Sequence, residues 1–70
     1  MEHLEFELQE DYIELIKLLK VMQVAMSGGE AKMRVEMGEV WVDGEQEYRK
    51  RRKLRRGSQV TVDDVKIFVV

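Results

Sequence analysis

The most pointed chemistry in the chain lies in one run, Arg49-Lys50-Arg51-Arg52-Lys53-Leu54-Arg55-Arg56. It places seven of the twelve basic side chains within eight positions. Clustered lysine and arginine bind polyanions, because each neutralised phosphate releases a condensed counterion. Arginine outnumbers lysine five to two in the run. Its planar fork can hold a phosphate at two points and can stack on a base. An extended conformation predicts Arg49, Arg51 and Lys53 on one side and Lys50 and Arg52 on the other, with Leu54 anchored in the core. Trp41 and Tyr48 are close by in sequence and offer faces on which bases could stack.

A second anion site is predicted at Ser27-Gly28-Gly29-Glu30. Ser27 followed by Glu30 is a capping-box pattern, so a helix should begin here. The free N–H groups of a helix start favour an anion, and Gly28 and Gly29 let it approach the backbone. Lys32 lies one turn further on. Catalysis finds no such support. His3 is the only histidine and reads as a solvated terminal residue. Ser27 and Ser58 have no partner base. The carboxylates show no metal-ligand spacing, and the glycines form no phosphate-loop fingerprint. No enzyme activity, cofactor, metal or small-molecule substrate is expected.

Several elements must position these groups. Leu4, Phe6 and Leu8 alternate with acids, which predicts a strand. Asp11 with Glu14 reads as a capping box opening a helix over about 12–22, with Tyr12, Leu15, Ile16, Leu19 and Met22 on one face. The Ser27 cap opens a second helix over about 28–37, with Ala31 and Val35 inward and Gly38 closing it. Val40-Trp41-Val42 reads as a strand with its valines on one face. Asp43-Gly44 is a hairpin turn. Val60 and Val62 mark another strand, Asp63-Asp64 a turn, and Val65 to Val70 a last strand.

Seventy residues make one small domain, residues 1–70, with a thin core. The net charge of −2 conceals a strong segregation. Residues 1–48 hold twelve acids and four bases, whereas residues 49–56 hold seven bases and no acid. There are no cysteines, which excludes a disulfide scaffold and a thiolate zinc site. No apolar run approaches the length of a membrane span, and no signal peptide is recognisable. The expectation is a soluble, cytoplasmic monomer that does not enter membranes.

The stretch SGGEAKMRVEMGEVWVDGEQEYRKRRKLRRGSQV resembles the RNA-binding domain named after ribosomal small-subunit protein four, also called the αL motif. More closely, it resembles the small stand-alone bacterial version, the YbcJ/YaaA type. The resemblance runs from about Phe6 to Val70. It rests on Ser-Gly-Gly-Glu-Ala-Lys, Gly-Glu-Val-x-Val-x-Gly-Glu, Arg-Lys-Arg and Gly-x-x-Val. It implies an α+β fold, two short helices packed on a small, mostly antiparallel sheet. It also implies binding of structured RNA, often ribosomal RNA. The contacts it implies are Ser27, Gly28, Gly29 and Lys32 at the second helix, the hairpin at Asp43-Gly44, and Arg49, Lys50, Arg51, Arg52 and Lys53. Three positions depart from the pattern. Gln23 replaces a glycine at the end of the first helix, Arg34 replaces an apolar residue and either extends the basic face or snorkels over the core, and Asp43 replaces an asparagine.

Together these features predict a non-catalytic protein gripping the phosphates of a folded RNA through Ser27, Gly28, Gly29, Lys32, Arg34, Trp41 and Arg49 to Lys53. The alternative is a protein-interaction module in which the same basic run docks an acidic partner. The two make different demands on the structure. RNA binding calls for Arg49 to Lys53 and Lys32 to form one continuous exposed patch. Protein docking calls for exposed Trp41 and methionines inside a charged rim. A third arrangement, the run neutralised across the acidic first half, would count against both.

Overall fold

Alternation of apolar and polar residues builds most of this molecule, whose computed structural model describes residues 1–70. The strands are β1 (Glu2–Phe6), β2 (Ile13–Glu14), β3 (Val40–Val42), β4 (Glu45–Gln46), β5 (Lys53–Leu54), β6 (Gln59–Val62) and β7 (Val65–Val69). The helices are α1 (Leu15–Val21) and α2 (Gly28–Glu36). Five strands form one sheet in the order β1-β7-β6-β3-β4. Only β1 and β7 run parallel; the other neighbours are antiparallel. The fold is therefore the expected α+β arrangement, two short helices on a mostly antiparallel sheet.

Register decides which side chains are buried. Val40 pairs with Val62, Val42 with Val60, and Val60 with Ile67. These residues share one face of the sheet and join Leu15, Leu18, Leu19, Ala31, Val35 and Leu54 in a single buried cluster. Leu4 and Phe6 of β1 pack against its edge. The first strand begins and ends two residues earlier than its alternation predicts, and Leu8 lies beyond it, buried.

The first helix departs furthest from expectation. It starts at Leu15, and Glu14 makes no side-chain cap. No Asp11–Glu14 capping box forms, because Ile13 and Glu14 are extended and pair with Leu54 and Lys53 in a two-stranded sheet. The free N–H groups of α1 find backbone acceptors instead. Leu15 N–H donates to the Arg52 carbonyl at 2.9 Å and Ile16 N–H to the Lys50 carbonyl at 3.1 Å. Two donors that a capping side chain would satisfy are thus satisfied by the basic segment. Tyr12, expected on the buried face, lies outside the helix and is exposed.

The second helix follows the sequence closely. Ser27 Oγ accepts from Glu30 N–H at 3.1 Å, and the Glu30 carboxylate accepts from Met26 N–H at 3.2 Å. Both helices end in the same hydrogen-bonded loop. Val24 N–H donates to Leu19 O and Gln23 N–H to Lys20 O; Glu39 N–H donates to Arg34 O and Gly38 N–H to Val35 O. That loop needs a left-handed residue, supplied by Gly38 at φ 78° and by Gln23 at φ 61°. The side chain at Gln23 costs about 1 kcal/mol relative to glycine. Space is also tight at Gly38: a Cβ there would come within 2.5 Å of Gln46 Nε2, the movable end of an exposed side chain, and within 3.2 Å of the Tyr48 ring.

Candidate functional site

The basic run is a turn rather than an extended segment. Arg52 N–H donates to the Arg49 carbonyl at 3.1 Å, which folds the four residues back on themselves. The cause is Glu47, the acid just ahead of the run. Its side chain is the one charged group in the protein's interior, only 6% exposed. Oε2 accepts from both the backbone N–H and Nε of Arg49 at 2.9 Å, and Oε1 accepts from Arg52 Nη1 at 2.6 Å. One carboxylate therefore fixes the first and the fourth residue of the turn.

The remaining cations are displayed around this anchor. Arg49, Arg51, Arg52 and Lys53 line one shallow surface depression of about 440 Å³ that contains no other residue. Arg49, Arg51 and Lys53 are exposed, while Lys50 and Arg52 are half-buried. The predicted two-sidedness is not kept: Arg52, expected opposite Arg49, Arg51 and Lys53, lines the same depression as they do, because the segment is a turn and not a strand. Leu54 is fully buried, as expected for an anchor. No acid further back in the first half pairs with the run; Glu47 is its only carboxylate partner. Arg55 and Arg56 bond instead to the carbonyls of Asp11 and Leu8, at 3.4 and 2.6 Å.

Glu47 also makes the turn sensitive to acid. Hydrogen bonds from Arg49 outweigh the cost of burial and hold the carboxyl at a pKa of about 2, from an ordinary value of 4.5. A depressed folded-state pKa stabilises the fold above pH ~4.5, and that contribution fades as pH falls towards about 2. It amounts to up to about 3 kcal/mol. The stability difference between wild type and Glu47→Gln should be largest near pH 6 and should shrink steadily towards pH ~2 in urea titrations. A difference independent of pH would show that the charge on Glu47 is not what matters.

The other predicted residues lie in three places. Ser27, Gly28, Gly29 and Lys32 are all exposed at the start of α2. A Cβ on Gly28 would meet nothing within 4 Å, so the backbone there is open to a ligand. The basic turn caps the first turn of α1, whereas α2 begins after the loop that leaves its last turn. Helix α1 and the loop of residues 22–27 run from the point where the basic turn bonds to the start of α2. Arg34 is occupied. Its Nε bonds to Glu39 at 3.1 Å, Nη1 to the Val24 carbonyl at 3.3 Å and Nη2 to Asp63. It ties α2 to the loop after α1 and to the β6–β7 turn, rather than extending the basic face.

Trp41 is 43% exposed on the face of the sheet turned away from the helices. Met33 and Met37 are exposed on the α2 side, in the opposite layer. Trp41 and these methionines therefore do not make the single rimmed patch that protein docking would call for. Tyr48 is exposed and lies against Gly38, where its ring would come within 3.2 Å of a Cβ. Asp43 at the hairpin tip is also engaged. Its Oδ1 accepts from Gln59 N–H at 2.9 Å, and its own N–H donates to the Gln59 carbonyl at 2.8 Å. The residue that sequence reasoning missed is Glu47. Its signal was a lone acid placed just ahead of a run of bases.

No helix is long and apolar enough to cross a membrane. No group of three or more histidine, cysteine or acidic side chains is placed to hold a metal ion. Among curated proteins none matches the chain. A family model described as S4 domain matches residues 6–70.

Proposed function

The chain belongs to the S4 domain family, whose members are generally non-catalytic RNA-binding modules, and from that premise we propose that it grips the phosphate backbone of a structured RNA. Arg49, Arg51, Arg52 and Lys53 form the principal contact, with Lys50 beside them. Ser27, Gly28, Gly29 and Lys32 at the start of α2 form a second contact. The observation that carries this reading is the Glu47-anchored turn. It displays four cations around one depression, and no acid other than Glu47 neutralises them. Trp41 and Arg34 take no part in that contact: one faces away from the helix layer, and the other is committed to Glu39 and Asp63. Helical RNA offers shape and phosphate spacing rather than readable base edges, which suits an interface built of cations and backbone N–H groups. Ribosomal RNA is the first candidate within that class, on the strength of the resemblance. The protein is expected to act as a cytoplasmic monomer.

Titration of a panel of structured RNAs at several salt concentrations tests this reading. With about four phosphates neutralised, log K should fall against log salt with a slope of roughly −3 to −4. If no RNA binds even at low salt, the RNA reading fails. An acidic protein docking on the same turn is then the partner to seek.

A further inference from the structure

Beside the basic turn lies a groove that the phosphate contact does not use. It has a volume of about 570 Å³, within the range of small-ligand sites, and Phe6, Tyr12 and Ile13 form its apolar wall. Three carboxylates, Glu10, Asp11 and Glu14, line it as well, together with Lys17. Tyr12 belongs both to this groove and to the basic surface. Lys53 Nζ lies 4.8 Å from its ring centroid and Arg55 Cζ 5.7 Å. The residue is 38% exposed. Arg55 is held in place by its bond to the Asp11 carbonyl.

We propose that this groove takes an unpaired nucleotide of the bound RNA, its base stacked on Tyr12 and its phosphate held by Lys53 and Arg55. This rests on the RNA-binding reading above. Three demands select the occupant. The apolar wall and the tyrosine ring call for a flat aromatic body. The carboxylates of Glu10, Asp11 and Glu14 accept N–H donors and repel an anion, and they outnumber Lys17, the one cation in the lining. Lys53 and Arg55, at the same ring, call for negative charge. A basic peptide would satisfy the carboxylates and be repelled by the cations, and a free phosphate would do the reverse. A nucleotide satisfies both, because its base edge carries donors and its phosphate the charge. Guanine fits best, since its N1–H and N2–H donors lie side by side and match the two oxygens of one carboxylate. The ligand would then be a stem interrupted by an extruded base, with the stem phosphates on Arg49 and Arg51.

Two hairpins test this, identical except that one carries a single extruded guanine in its stem. Wild type should bind the bulged hairpin about tenfold more tightly, the gain expected of one base stacked on an aromatic side chain. Tyr12→Leu should bring the ratio of the two affinities close to one, and Tyr12→Phe should restore it. The ratio is unaffected by the fraction of protein that is folded. A wild-type ratio near one, or a preference that persists in Tyr12→Leu, overturns the proposal while leaving the phosphate contact intact. If neither hairpin binds, the RNA-binding reading fails and this one fails with it.

Discussion

Replacing Arg49, Arg51 and Lys53 together by alanine is expected to lower RNA affinity by a factor on the order of 10²–10³ near 0.1 M salt. The slope of log K against log salt should flatten at the same time, by roughly one for each phosphate that is no longer neutralised. The two readouts distinguish a missing electrostatic surface from a partly unfolded protein. A smaller fraction of active protein lowers the apparent affinity but leaves the slope unchanged. Arg49 is the weak point of this variant, because its removal takes one of the two guanidinium partners from a buried carboxylate. Arg51→Ala/Lys53→Ala is the companion variant. Neither side chain pairs with an acid, so the fold should be preserved while the slope flattens by about two. Equal binding by the triple variant and wild type would move the RNA contact elsewhere on the molecule.

The second large effect is expected from a residue that touches no RNA. Glu47→Gln adds one positive charge to the basic surface, and by charge alone it should bind RNA more tightly. We expect the opposite. The carboxylate holds Arg49 and Arg52 in one geometry, and a neutral amide gives up the charge-assisted part of that hold. Arg52 supplies a carbonyl to the first turn of α1, so loosening it also frays a helix of only seven residues. A destabilisation of about 2–3 kcal/mol follows for a buried carboxylate whose cations remain partly solvated. In a domain of this size that lowers Tm by about 10–20 °C. Measured well below the new Tm, affinity should still fall by about three- to tenfold, as expected when one or two charged hydrogen bonds are misplaced. Tighter binding would show that Glu47 restrains the cations rather than positioning them.

The alternation of Val40, Val42, Val60 and Val62 is enough to place the sheet core, and Ser27, Glu30 and Gly38 are enough to bound α2. These signals are local: each feature is set by residues within a few positions of one another. The first helix escapes such a reading because its cap is not local. Asp11 and Glu14 have the right spacing for a capping box, yet the carbonyls of Lys50 and Arg52, more than thirty residues away, satisfy those donors. A carbonyl belongs to every residue and leaves no mark in a sequence. The strands β2 and β5, two residues each, are too short for any alternation to reveal. For the site, the sequence located the cations but not their arrangement. Five bases in a row can lie in a strand or a turn, and the deciding group is an acid. Arg34 misleads for a related reason. Its partners Glu39 and Asp63 are brought to it by the end of α2 and by the turn between β6 and β7.

The parallel pairing of β1 with β7 governs how this unit can be joined to anything else. Parallel neighbours start at the same end, so Glu2 lies beside Val65, and its N–H bonds to the Asp64 carbonyl. Val70 emerges at the other end, where Leu8 N–H bonds to its carbonyl and Arg56 reaches the carbonyl of Leu8. The two chain ends are therefore a strand's length apart, about 16 Å for five residues. A tether at residue 1 leaves from the end remote from Arg55 and Arg56. A tether at residue 70 leaves beside them and shares their space with whatever they hold. Surface immobilisation and fusion to a second domain should therefore both be made through the amino end when the basic side must stay accessible.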